Sequence, residues 1–166
     1  MVLAEVHIRD ALATDLESLL ALMREYYEFD GLAFDEVRAR RALANLLEND
    51  TFGHVWLIVD AGVAIGYAAV TLGYSLEYLG RDAFVDEIYL RASHRGRGIG
   101  SRMLAVIENA CRAAGVQALH LEVRRGNVDA QRAYLKAGFE HRDRYLLTKR
   151  ISPVVVEQGR SPSSRS

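Results

Sequence analysis

Apolar and polar residues alternate in "EVHIRDA" (5–11), the period-two pattern of a half-buried strand. From Thr14 the period changes. Leu16, Leu19, Leu20 and Met23 recur at helical spacing, and Thr14 and Glu17 stand at the spacing of a capping box, which predicts a first helix from Thr14 to Phe29. After "DGLAF", the segment "DEVRARRALANLLEND" carries Val37, Leu43, Leu46 and Leu47 as one apolar stripe and predicts a second helix. "HVWLIVD" and "VAIGYAAVTLGYS" are rich in β-branched and aromatic residues and are joined by Ala61 and Gly62, which suits a hairpin.

Beyond the hairpin comes "AFVDEIYL", an apolar run interrupted by two acids, then a glycine-rich turn, then a helix from Gly98 to Ala114 that Gly115 stops. "ALHLEV" reads as a further strand, "VDAQRAYLKA" as a helix closed by Gly138, and "RYLLTKRI" as a last strand. The order β-α-α-β-β-β-α-β-α-β implies one mixed sheet flanked by helices. The tail "SPVVVEQGRSPSSRS" (152–166) is rich in Ser, Arg and Pro and reads as disordered, which leaves 1–151 as one domain. No internal repeat is visible.

Composition narrows the class. Half of the 166 residues are apolar, about a quarter are charged, and the formal net charge is −1, so neither a disordered chain nor a nucleic-acid binder is indicated. Arg160 and Arg165 make the tail basic but supply no basic face. Cys111 is the sole cysteine and reads as a small apolar residue on a helix; no intrachain disulfide and no Cys/His spacing for a metal exists. The first ten residues lack the apolar core of a signal peptide, and no apolar run approaches ~20 residues. The expectation is a cytoplasmic protein with no membrane span.

The candidate chemistry centres on "SHRGRGIGSRML", which begins at Ser93. Arg95, Gly98 and Gly100 read as R-x-x-G-x-G between a strand and a helix. A helix N-terminus presents unpaired N–H groups and partial positive charge, and glycines let a phosphate approach the backbone. The pattern is not a nucleotide P-loop, since no Gly-Lys-Ser/Thr follows, and it is not a dinucleotide fingerprint, since Ser101 stands where the third glycine would fall. On spacing alone, a glycine turn on a solvated basic loop is the competing reading.

"FVDEIYLRASHRGRGIGSRML" resembles the strand-turn-helix acyl-CoA signature of the GNAT superfamily of N-acetyltransferases, and "LHLEVRRGNVDAQRAYLKAGF" is similar to that superfamily's second motif. The two blocks span Phe84 to Phe139. The resemblance implies a single-domain α/β fold with a mixed, mostly antiparallel twisted sheet, a central pair of parallel strands that splay apart, and about four flanking helices. It implies acetyl-CoA as co-substrate, with no metal. The pyrophosphate would lie on the turn formed by Arg95, Gly96, Arg97, Gly98, Ile99, Gly100 and Ser101, and the pantetheine arm would pair with the backbone of Ile88, Tyr89 and Leu90. Asn127 would cap the next helix and could bond the pantetheine.

Acetyl transfer to an amine needs a neutral nucleophile, a stabilised oxyanion and a proton for the departing thiolate. The resemblance places Tyr134, seven residues after Asn127, beside the thioester sulfur as that proton donor; packing of its helix on the sheet is the alternative. Three carboxylates compete for the base. Asp86 and Glu87 are adjacent on one strand and so point to opposite faces, barring a bulge, and they rank ahead of Glu122. An ion pair with a nearby arginine competes for each. His120 reads as a packed residue.

On the acceptor side Glu28, Asp30, Glu77 and Asp82 could attract a cation, with Tyr26, Tyr27 and Tyr78 against its stem, although solvated loops would look the same. The function read here is transfer of acetyl from acetyl-CoA by direct attack of a small-molecule primary amine, polyamine-like or aminoglycoside-like. A protein N-terminal or lysine acetyltransferase and a non-catalytic acyl-CoA sensor are the alternatives. Homodimers are common in the resembled superfamily, and neither nucleic acid nor membrane is expected as a partner.

Overall fold

The computed structural model describes residues 6–151. One five-stranded sheet runs in the order β1 (His7–Asp10), β2 (Gly53–Asp60), β3 (Val63–Ser75), β4 (Gly80–Leu90), β5 (Ala118–Leu121). The first four are antiparallel neighbours, and β4 and β5 are parallel. Among the described residues four helices flank the sheet: α1 (Leu16–Phe29), α2 (Glu36–Glu48), α3 (Ile99–Ala113) and α4 (Val128–Lys136).

Each face of the sheet buries its own core. Ala68, Val70, Ala83 and Val85 pack with Met103, Ile107 and Cys111 of α3. Tyr67, Ala69 and Tyr89 point the other way and pack with Leu19, Leu20, Leu22 and Leu43 of α1 and α2. The alternation along β3 follows the two-residue period of a strand, with both faces apolar because both are covered. Cys111 is buried in the α3 core, and burial pushes its thiol up.

Local chemistry sets the boundaries. Ala61 and Gly62, both at positive φ, make the two-residue β2–β3 turn. Asp35 caps α2 by accepting from Arg38 N at 3.1 Å. The start of α1 differs from expectation. No Thr14–Glu17 capping box forms; Asp15 accepts from Leu12 N at 2.8 Å instead, and Arg9 grips the same carboxylate at 2.7 and 2.9 Å. A bidentate guanidinium outcompetes the weaker hydroxyl cap.

Two further differences lie at the other end of the chain. β5 stops at Leu121, and 144–151, expected as a last strand, joins no strand ladder among the described residues; Tyr145, Leu146, Leu147 and Ile151 are exposed. β5 is therefore the sheet's edge among those residues, and the parallel β4–β5 pair sits at that side. The tail 152–166 lies outside the described residues.

Candidate active site

The β3–β4 ladder contains one irregularity. Val70 faces Val85 and Ala69 faces Glu87, which leaves Asp86 as an extra residue without a partner. This is a β-bulge, and it reverses the side-chain alternation downstream of it. In an unbroken strand Glu87 would share the face of Val85, against α3. Here Val85 stays with α3 while Glu87 turns to the α1 face, followed there by Tyr89, and Ile88 and Leu90 return to the α3 side. Asp86 itself is exposed at the bulge.

Glu87 is held by two phenols. Tyr27 Oη donates to Oε1 at 2.7 Å and Tyr67 Oη donates to Oε2 at 2.6 Å. Burial pushes the Glu87 carboxyl up, the two phenol bonds pull it back, and the Asp86 charge adds to the rise. The Asp86 carboxyl is likewise raised by the desolvation its neighbours impose. Burial also raises Tyr27 and Tyr67 and takes Tyr26 to about 12, so all three phenols are protonated donors at neutral pH. Tyr67 escaped the sequence reading because in "VAIGYAAV" it looks like any strand aromatic. Only the β3–β4 register brings it to Glu87.

The backbone edge next to the bulge is open. Arg91 N donates to Ile65 O at 3.0 Å, and a Cβ at Gly66 would lie 2.5 Å from Tyr89 O, so the polar groups of Tyr89 and Arg91 face β3. Those of Ile88 and Leu90 therefore face away from it. β5 pairs only with Asp82–Val85, so no strand of the described residues covers that side of β4 from Asp86 onward. An extended polar chain could pair there with Ile88 and with Leu90 N, while Leu90 O is taken by the Arg95 side chain.

This edge runs into the glycine turn. Gly96 and Gly98 adopt left-handed φ of 73° and 77°, and α3 makes its first backbone bond from Arg102 N to Gly98 O. The N–H groups of Ile99, Gly100 and Ser101 thus lack intrahelical partners, and a Cβ at Gly96, Gly98 or Gly100 would meet only open space. The arrangement fits a diphosphate at a helix N-terminus. Arg95, the first residue of the expected pyrophosphate turn, is folded back: its Nε donates to Leu90 O at 2.8 Å and its guanidinium lies 4.6 Å from the Phe29 ring centre. Arg97 lies 3.9 Å from Asp60.

The remaining candidates divide. Asn127 accepts from Ala130 N at 3.2 Å and caps α4. Tyr134, on α4, packs edge-on to Phe139 and is raised by burial. Glu122 falls beyond the end of β5 and is exposed, which removes the argument that it is a buried strand acid. Of the acids expected to draw a cation, Asp30 is paired with Arg124 at 2.9 Å and Glu77 with Arg142 and Arg144 at 2.8 Å each, while Glu28 is exposed. Among the described residues no group of three His, Cys, Asp or Glu could hold a metal ion, and no helix is long and apolar enough to cross a membrane.

The family model for the Acetyltransferase (GNAT) family matches residues 16–139, the span that carries the bulge, the open edge, the glycine turn and Tyr134. This chain belongs to that family. By that membership it is an acyl-CoA-dependent acetyltransferase. It is 29% identical over 148 residues to a thialysine N-epsilon-acetyltransferase of Bos taurus, across 82% of this chain and 85% of the relative. It is 30% identical over 135 residues to an aminoalkylphosphonate N-acetyltransferase of Salmonella typhimurium, across 80% and 84%. Among solved structures, an integron cassette protein from the mobile metagenome of Cole Harbour Salt Marsh superposes with a TM-score of 0.80 at 36% identity, covering 88% of this chain and 91% of that one. A predicted acetyltransferase from Clostridium acetobutylicum, solved with acetyl-CoA, shares the fold at a TM-score of 0.76 and 20% identity, over 87% and 96% of the two chains.

Proposed function

We propose that this protein transfers the acetyl group of acetyl-CoA to a primary amine of a small, polyamine-like molecule, with Glu87 as the proton acceptor and Tyr134 as the proton donor. The observation that carries the reading is the bulge at Asp86, which turns Glu87 out of the α3 core and onto a face where two phenols fix its carboxylate. Each carboxylate oxygen keeps a lone pair for a third partner. The bulge also begins the stretch of β4 whose Ile88 and Leu90 backbone faces an uncovered edge, so an acyl chain lying there would end beside Glu87.

The chain's own residues then divide the work. Glu87 takes the proton that an incoming ammonium must lose. The nitrogen bonds to the acetyl carbon, the carbon–sulfur bond breaks as Tyr134 hands its proton to the departing sulfur, and the second proton that the nitrogen sheds as the amide forms restores the Tyr134 phenol. Burial keeps Tyr134 a phenol at neutral pH, as a donor requires, and among the described residues no hydrogen bond engages its hydroxyl. The N–H groups of Ile99, Gly100 and Ser101 would hold the diphosphate. That two relatives are named for acetylating small amino compounds supports a small acceptor over a protein N-terminus.

The test is thiol release from acetyl-CoA over a panel of amines, by the wild type and by Tyr134→Phe. Steady release with small amines is expected, and a kcat about 10²-fold lower in the variant, near the lower end of general acid catalysis because a thiolate leaves readily. No release with any amine contradicts the transfer, and a variant kcat within about threefold of wild type contradicts the role of Tyr134.

A further inference from the structure

Four residues that this chemistry leaves unused meet on the same face as Glu87. Ala83 and Val85 are buried against α3, so Asp82 and Phe84, which alternate with them, face the α1 side. Leu119 and Leu121 of β5 also pack toward α3, and His120 between them is the register partner of Phe84. The His120 ring centre lies 6.4 Å from that of Phe84 and 5.2 Å from that of Tyr78, and its Nε2 lies 3.4 Å from Asp82 Oδ2. That separation is too long for a strong hydrogen bond, and His120 is the only ionic neighbour of Asp82 among the described residues.

Asp82 thus differs from Asp30 and Glu77, whose charges arginines neutralise. Its side chain and that of His120 keep 24% and 31% of their exposure, so a solute can reach both. The strand opposite helps place the carboxylate: Gly73 is the register partner of Asp82, and Asp82 Oδ1 lies over it, 2.6 Å from where a Cβ would stand. A carboxylate with free acceptor positions, beside an imidazole that two aromatic rings flank, is the chemistry that binds an alkylammonium.

We propose that Asp82, His120, Tyr78 and Phe84 form a distal acceptor subsite that takes the second ammonium of a diamine while its first amine reaches Glu87. The inference rests on the reading of Glu87 as the proton acceptor. The spacing follows from the ladder. On β3, Thr71 faces Phe84, Gly73 faces Asp82 and Ala69 faces Glu87, so the subsite lies two to four strand steps from Glu87, or about 7 to 13 Å. At about 1.25 Å per bond of an extended chain, the two nitrogens would be separated by roughly five to nine chain atoms.

The experiment is kcat/KM for α,ω-diamines of increasing length against monoamines of matched length, for the wild type, Asp82→Asn and Phe84→Leu, with a melting temperature for each protein. In the wild type the diamine-to-monoamine ratio should rise to about tenfold or more once the spacing reaches five to nine atoms, about 1.4 kcal/mol. Both variants should shrink that ratio toward one; Phe84→Leu keeps the apolar volume and so guards against a folding artefact. A ratio that is flat with length in the wild type, or that survives both substitutions, overturns the subsite. If the wild type binds acetyl-CoA yet acetylates neither series, the Glu87 reading has failed. Calorimetry of the nine-atom diamine then decides the subsite alone: binding lost in Asp82→Asn upholds it, and no binding to wild type overturns it.

Discussion

Glu87 and its two tyrosines show what single residues contribute. A buried carboxylate is costly when charged, and the structure offsets part of that cost with two phenol donors, so the Glu87 carboxyl stays above the ordinary glutamate value but below that of an unpartnered buried acid. Removing one donor shifts the balance toward the protonated acid. Tyr67→Phe, and separately Tyr27→Phe, should therefore move the acidic limb of kcat/KM to higher pH, because the base must lose its proton in the free enzyme before it can act. The pH profile of each variant is the check. A limb that stays in place or moves to lower pH would mean that the phenols do not tune the base. At this scale the sequence was partly readable. The pair Asp86–Glu87 stood out as acids inside an apolar run, but choosing between them needed the bulge, and a bulge leaves no mark in composition. The fold-back of Arg95 was equally hidden, since its partners Leu90 O and Phe29 are set by tertiary packing.

Among the elements, the turn before α3 was the most legible. Glycines at fixed offsets between a strand and a helix report a backbone requirement directly, and the structure places Gly96 and Gly98 in the left-handed region. Gly98→Asn tests what the turn is for. Asparagine tolerates that conformation, so the fold should be largely kept, while its side chain enters the open space at the α3 N-terminus. Acetyl-CoA affinity by calorimetry should fall by about tenfold, worth ~1.4 kcal/mol. Undiminished affinity in a folded variant would remove the turn from the acyl-CoA site. The last expected strand was the least legible element. "RYLLTKRI" has strand-like residues, yet a strand exists only when a neighbour supplies its hydrogen bonds, and the local pattern carries no information about that neighbour.

For the whole molecule, the two-sided sheet explains how an acid comes to lie between strands and helices without wrecking the core. Both faces of β3 and β4 are apolar and covered, so a strict alternation would have sunk Glu87 among Met103 and Ile107, where nothing could pair with it. One extra residue moves it to the face that holds tyrosines. If this displaced carboxylate is the proton acceptor, replacing it must change activity and stability in different directions. With its pKa raised in the folded state, Glu87 binds its proton more tightly folded than unfolded. Its stabilising contribution is thus full below the unfolded pKa and lost as pH rises through the folded pKa. Glutamine has no proton to lose and stays neutral at every pH. The direct measurement is kcat/KM and melting temperature of Glu87→Gln near neutral pH, with a small amine as acceptor. The variant should show a kcat/KM lower by roughly 10²- to 10⁴-fold together with a melting temperature equal to or above that of the wild type. Activity retained within about threefold, in a protein that folds, would contradict it.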